Sequence, residues 1–294
     1  MDFLNSFVDN GDEWWISATH PDSTKENKDK LIGLKSNIFE NYLIYERIIS
    51  IYIENPEIPS FVNTENKDIL LDYYNNPPVK LKGKLVNRRN NSLNVCPYCG
   101  KFVRPNTLDH FMPKEDFSHY SIFQNNLVPQ CRKCASIKGK KYFDSSKGCL
   151  FIHPFYSDIL SKIKFKISLS FDSSINLIKV DDIKLEASNL TTVEKVRVKN
   201  HFGILNVKSR ISSYCLNEFK ELRRKSKKNN FPLDVLISGK ICINNMNRSD
   251  WCTAFYESLN NCNEAKSFLN SLMPTAQVVN RILAPDDIEC FDFD

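Results

Sequence analysis

Two Cys-x-x-Cys pairs, Cys96 and Cys99 in CPYCG and Cys131 and Cys134 in CRKC, are the residues of this 294-residue chain whose type and spacing point most directly to chemistry. Paired knuckles bring four thiolates within tetrahedral reach of one Zn²⁺, and such a closed site is structural. The stretch between them, Gly100 to Gln130, is longer than a simple zinc ribbon needs. It contains TLDHFMPK, with Asp109 beside His110, and NNLV, with Asn126, and SIKG follows the second knuckle. An Asp-His dipeptide is a weak signal alone. The order knuckle, Asp-His, Asn, knuckle is a specific one.

In that order the motifs resemble the HNH endonuclease family, in its zinc-bound form with two Cys-x-x-Cys knuckles. The resemblance runs from about Cys96 to Lys141, and FIHPF (residues 151–155) is similar to an element that follows the core in such proteins. It implies a ββα-metal core and metal-dependent hydrolysis of phosphodiester bonds. Carried onto this chain, it makes His110 the general base, since an imidazole titrating near neutrality can take a proton from attacking water. Asp109 becomes a ligand of a catalytic Mg²⁺ or Mn²⁺, and Asn126 a residue whose amide bonds loop backbone to orient His110. Because adjacent residues of a regular strand point to opposite faces, the strand end carrying Asp109 and His110 is expected to be twisted, bulged or already turning.

The chain departs from the family pattern at Ala135. The position after the last knuckle cysteine normally bears Asn or His, the second protein ligand of the catalytic metal, and alanine has no donor atom. Ser136, Asn125 and His153 are the candidate substitutes; otherwise the metal keeps an extra water, the site is inactive, or the residue was altered. The long flanks, LDHFMPK, NLVPQC and IHPF also look like HNH effectors of bacterial anti-phage systems, including Septu-type and retron-associated effectors. That likeness implies a DNA substrate, with an ABC-type ATPase partner or self-association through the flanks. The alternative is a catalytically degenerate, zinc-stabilised subunit for nucleic-acid binding or assembly.

The elements that must position these residues give an α+β reading: a helical segment 1–79, the functional module 80–155, and a mostly helical segment 156–294. Ile38, Tyr42, Tyr45, Ile49 and Ile53 recur at helical spacing in residues 36–53, and a second helix is expected over 66–74. VKLKGKLVNRRNNSLN reads as a basic connector. Alternation in FKISLSFD and INLIKVDD predicts a β-hairpin near 164–181, and Ile204 to Leu222 step along one long helix before RRKSKKNN. The last ten residues, PDDIECFDFD, are acidic.

Charge is unevenly spread. The net charge is +5, yet residues 80–147 carry +10, leaving −5 elsewhere. Concentrated positive charge suits a polyanion, with Lys138, Lys140 and Lys141 as the expected phosphate contacts. The start MDFLNSFVDN lacks the charged beginning and apolar run of a secretory signal, and no apolar run reaches the ~18 residues of a membrane span. A cytoplasmic protein with no membrane partner is expected. The six other cysteines, Cys149, Cys215, Cys242, Cys252, Cys262 and Cys290, read as buried thiols. His119 reads as a loop-packing residue, and His20 and His201 are given no role.

Overall fold

Ile38, Tyr45 and Ile49 are buried along one face of a sixteen-residue helix, as their spacing requires. The structure, a computed structural model, describes residues 1–243 and 250–274. The helix is α3 (Lys35–Ser50), preceded by α1 (Glu13–Ala18) and α2 (Lys28–Gly33) and followed by α4 (Thr64–Asn75). α3 stops before Ile53, which is exposed, and the Tyr52 carbonyl beyond its end accepts instead from the backbone N–H of Cys149. α4 starts one turn earlier than its apolar stripe because Asn63 caps it, accepting from the Asn66 N–H.

The expected basic connector is a helix, α5 (Val79–Arg89). Pro78 occupies the N-cap with extended backbone. Leu81, fully buried, and Leu85, partly buried against the same cluster, lie one turn apart and face α1, while the lysines between them point outward. Alternating lysines around Gly83 disguise that two-residue stripe.

At the centre stand β1 (Thr107–His110), β2 (Leu127–Gln130) and α6 (Arg132–Lys138), a ββα unit. β1 and β2 are antiparallel, pairing Asp109 with Val128 and His110 with Leu127 without a register shift. Each strand has only four residues, too few to stand alone, so both faces are covered. Leu127 joins a cluster built from Trp14, Trp15, Leu31, Ile38, Leu70 and Leu81 of the N-terminal helices. Val128, on the opposite face, joins a larger cluster that includes residues from Met1 to Leu269.

Beyond the unit lie the short strands β3 (Phe143–Asp144) and β4 (Gly148–Cys149), then β5 (Ile163–Asp172) and β6 (Leu177–Ala187), a hairpin longer than the sequence pattern suggests, with a register shift at Ser168/Leu169. The long helix expected from Ile204 starts three residues later, at Val207, and another helix, not expected from the sequence, precedes it. α7 (Thr192–Ile204) opens with a capping box between Thr191 and Glu194, and Asn206 at φ 51 breaks it from α8 (Val207–Ser226). Val207, Ile211, Cys215, Phe219 and Leu222 form the buried stripe of α8. α9 (Leu233–Ile243), α10 (Trp251–Asn260) and α11 (Asn263–Ser271) complete the layer. Cys149, Cys215, Cys252 and Cys262 are buried free thiols; the side chains of Cys242 and Cys290 and the acidic tail lie outside the described residues. No helix of the described residues is long and apolar enough to cross a membrane.

Gly148 is the tightest backbone approach. It adopts φ +73, and a Cβ there would clash with the Tyr52 carbonyl oxygen. A left-handed non-glycine residue alone costs ~1–2 kcal/mol, and backbone cannot step aside as a side chain tip can. Gly148→Ala is expected to destabilise the fold by about 2 kcal/mol or more, lowering Tm by roughly 4 °C or more; a thermal melt of the variant checks this.

Candidate active site and metal centre

The first knuckle is a tight turn. Val95 bridges to Phe102, the Cys96 N–H donates to the Lys101 carbonyl, the Gly100 N–H donates to the Cys96 carbonyl, and Gly100 takes φ +73. The second begins at Cys131, N-cap of α6, with Cys134 in the first turn. The four sulfur atoms lie within 4.8 Å of one another and all four residues are buried. A tetrahedron with metal–sulfur bonds of ~2.3 Å has edges close to ~3.8 Å; Cys96–Cys134 and Cys99–Cys131 are 3.9 and 4.0 Å apart. The donor set and spacing fit a metal such as zinc. Hydrogen bonding within the cluster pulls the Cys131 thiol down and pushes the Cys134 thiol up, so ionising all four together calls for a bound cation.

Asp109 and His110 leave β1 on opposite faces. No bulge reconciles them; His110 is the last residue of the strand and the chain bends at Phe111 and Met112. On the α6 side, the Lys138 ammonium lies 2.9 Å from Asp109 Oδ2 and donates to the His110 carbonyl at 2.6 Å. The Asp109 contact is a close ion pair between a fully buried ammonium and a mostly buried carboxylate. Burial raises the Asp109 pKa and the neighbouring ammonium opposes that rise.

On the helical side, His110 Nε2 lies 2.8 Å from the Ser121 carbonyl. A carbonyl only accepts, so Nε2 carries the hydrogen and Nδ1 keeps the lone pair. The ring packs edge-on against Tyr74 of α4, centroids 4.3 Å apart, and burial lowers its pKa to about 3. Burial, with the charge of Asp109, lifts the Tyr74 hydroxyl to about 12. The loop between is held by Asn126, fully buried: its Oδ1 accepts from the Met112 N–H and the Tyr45 hydroxyl, both at 2.8 Å, and its Nδ2 donates to the Met112 and Tyr120 carbonyls.

Four expected residues, Lys138, His153, Asn125 and Ser136, sit otherwise than the sequence suggests. Lys138 is not a surface phosphate contact, since its side chain is 0% exposed and faces inward with Cys134, one turn away. Lys140 and Lys141 are exposed beyond Gly139, the C-cap. His153 is not free to bind metal: Nδ1 accepts from the Phe155 N–H and Nε2 donates to the Asn125 carbonyl. Asn125 is equally committed, accepting from the Asp9 N–H and donating to Asn10. Ser136 is exposed, two residues round the helix from Cys134. Of the named substitutes for Ala135, Asn125 and His153 are thus already committed to other protein groups.

Tyr74 and the inward role of Lys138 were not read from the sequence. Lys138 lies at i+4 from Cys134, a spacing that would have placed both on one face; Tyr74 has no such signal. Arg88, counted with the basic segment, donates to the carbonyls of Phe7, Gln124 and Leu127. His119 is buried among Phe61, Phe117 and Tyr120. His201, given no role, accepts from the Ile152 N–H and donates to the Tyr98 carbonyl at 2.6 Å, tying α7 to the first knuckle.

With this geometry in place the chain can be compared with known proteins. Residues 96–141 match the family model for the HNH endonuclease. Protein ea31 of Escherichia phage lambda is 27% identical over 117 residues, which are 39% of this chain and 38% of that protein. The chain therefore spans well under half the length of the curated relative it matches. No solved structure matches. The HNH match takes in both knuckles, Asp109, His110, Asn126 and Lys138, and an HNH domain implies nuclease chemistry on nucleic acid.

Two outcomes follow for this segment. Elemental analysis should find one zinc per chain, and Cys131→Ser should lose the metal and melt the segment, because binding such a metal is coupled to folding; a variant with unchanged zinc and unchanged Tm would contradict the fit. The second concerns pH. Burial lowers His110 and His153 to about 3 and His119 and His201 to about 4. The folded form refuses protons that the unfolded chain accepts below ~6.5. Their contribution to stability is therefore complete above that value and lost as pH falls toward 4. His201→Gln should flatten the slope of stability against pH in this window by up to about 1.4 kcal/mol per pH unit, measured by denaturant titration across pH.

Proposed function

We propose that the chain is a metal-dependent endonuclease that hydrolyses phosphodiester bonds in DNA, with His110 as general base. The observation that carries the reading is the fixed tautomer of His110: its Nε2–H is bound to the Ser121 carbonyl, so Nδ1 keeps its lone pair on the last residue of β1, where the chain bends at Phe111 and Met112. At neutral pH the buried ring is uncharged, the form that accepts a proton. An anionic phosphate drawn into the site raises its basicity, since a nearby opposite charge favours the protonated ring.

Water attacking phosphorus gives its proton to Nδ1 of His110. Asp109 would hold the Mg²⁺ or Mn²⁺ ion, which when bound stabilises charge on the pentacoordinate phosphate and the leaving 3′ oxygen. Asn126 keeps the loop that supplies Ser121 in place, so the tautomer survives the reaction. Lys140 and Lys141, exposed past α6, with Arg132 and Lys133 at its start, supply phosphate contacts.

The narrower reading is an anti-phage effector working in the cytoplasm beside an ABC-type ATPase or a second copy of the chain. It rests on the likeness of the LDHFMPK, NLVPQC and IHPF elements, and on Leu43 and Val79, 84% and 86% exposed on the N-terminal helices, as contact residues.

The test is cleavage of plasmid, single-stranded DNA and RNA with and without Mg²⁺ or Mn²⁺. His110→Ala is expected to cut the rate by roughly 10²–10⁴-fold, the usual loss of a general base. Ala135→Asn, which returns a donor to α6, is expected to lower the metal concentration for half-maximal cleavage severalfold. Cleavage by no substrate and metal combination, with salt-sensitive nucleic-acid binding intact, would make the chain a degenerate binding or assembly subunit instead.

A further inference from the structure

Arg210, in the second turn of α8 and outside the HNH match, reaches across to the knuckles. Its Nη1 lies 3.5 Å from Cys134 Sγ, and its Nη2 lies 3.4 Å from Cys99 Sγ and 3.6 Å from Cys131 Sγ. The fourth sulfur, Cys96 Sγ, accepts from the backbone N–H of Cys131 at 3.3 Å. Every sulfur of the cluster therefore has an N–H donor, and three of the four share one guanidinium. Apart from these sulfurs the guanidinium has the Leu205 carbonyl, at 3.1 Å from Nη1, and the face of Trp251, 5.2 Å to the ring centroid.

A half-buried guanidinium facing neutral thiols would be poorly compensated. Facing a tetrathiolate–zinc unit of net charge −2, it removes half of that charge. We propose that Arg210 is an outer part of the metal centre, which holds zinc by neutralising the thiolates and makes docking of the C-terminal helices depend on the metal. The docking contacts converge on the same knuckle. The Trp251 indole N–H donates to the Cys99 carbonyl at 2.6 Å and its backbone N–H to the Gly100 carbonyl at 3.0 Å. Asp250 caps α10 through Thr253 and so fixes Trp251 at the helix start. Loss of the metal returns mutual repulsion or protons to the sulfurs, and either removes the reason for Arg210 to stay.

N–H donors lower the energy of thiolate electrons and increase ligand affinity, and outer partners of this kind typically change metal affinity by ~10–100-fold. The test uses the full chain. Zinc release to a chromophoric chelator is compared for the wild type, Arg210→Met and Arg210→Lys, together with the thiolate-to-cobalt absorption of the Co²⁺-substituted proteins and hydrogen exchange over residues 251–260 before and after chelation. Arg210→Met is expected to release zinc about ten- to a hundredfold faster and to move the cobalt band to lower energy, with Arg210→Lys between, since it keeps the charge and loses the fork. Chelation is expected to raise exchange in α10 more than in α3 and α4. Release and cobalt spectra of Arg210→Met like those of the wild type would reduce Arg210 to a packing residue. Unchanged α10 exchange on chelation would overturn the metal-dependent docking. Should Arg210→Met not fold, Trp251→Phe keeps the ring and loses the bond to Cys99; exchange in its α10 no faster than in wild type would count equally against that docking.

Discussion

Adjacent residues of a β-strand face opposite ways, and Asp109 and His110 close β1 side by side with no bulge to turn either one. A carboxylate and an imidazole thus leave one strand into different surroundings, and each needs its own layer. The N-terminal helices supply the His110 side, where Tyr74 packs on the ring and the Ser121 carbonyl fixes the tautomer. Ser121 is itself anchored, its hydroxyl donating to the Leu70 carbonyl of α4. α6 supplies the Asp109 side through Lys138. Covering both faces of a four-residue hairpin also explains why so small an HNH segment carries such long flanks.

The two layers are held to the hairpin by different physics. On the helical side the bonds are buried and neutral, with Asn126 giving or receiving four hydrogen bonds; removing that amide would leave several buried groups unpaired, at about 1–3 kcal/mol each. On the knuckle side the bonds come from residues distant in sequence, two of them neutral and one cationic. His201, Arg210 and Trp251 bind either the knuckle backbone or its sulfurs. On the proposal that Arg210 serves the metal centre, this second clamp would also respond to whatever occupies the four thiolates.

Periodicity made α3, α4, the β5–β6 hairpin and the stripe of α8 legible in the sequence, because each buries one face over several turns or alternations. Spacing made the four-cysteine cluster legible, since knuckle geometry is local. α5 was not legible because its buried face is little more than Leu81 and Leu85 among lysines, and α7 was not because its buried side chains are only Val198, His201 and Phe202. Tyr74, Arg88 and Arg210 act through partners far along the chain, and no local pattern specifies such pairings. His153 shows the reverse case: its motif drew attention, yet two backbone bonds account for it.

The basic segment also reads differently once its members are placed. Arg88 and Lys138 serve carbonyls and a carboxylate inside the fold, and Lys84 pairs with Glu13. Lys82, Arg89, Arg104 and Lys147 are exposed elsewhere in the segment, and four exposed basic residues lie around α6, Arg132 and Lys133 at one end and Lys140 and Lys141 at the other. Lys138 lies beneath them and 2.9 Å from Asp109 Oδ2, which makes it a like charge to any divalent cation that Asp109 takes. On the proposed reading that repulsion falls when a phosphate arrives, because the anion offsets the ammonium and adds the oxygen ligands that Ala135 does not provide. Metal and nucleic acid would then favour each other's binding, and a cation without substrate would bind weakly. On that reading, an HNH site with alanine at position 135 and the buried Lys138 three residues on would give up metal affinity in the resting state and leave assembly of the reacting centre to the substrate.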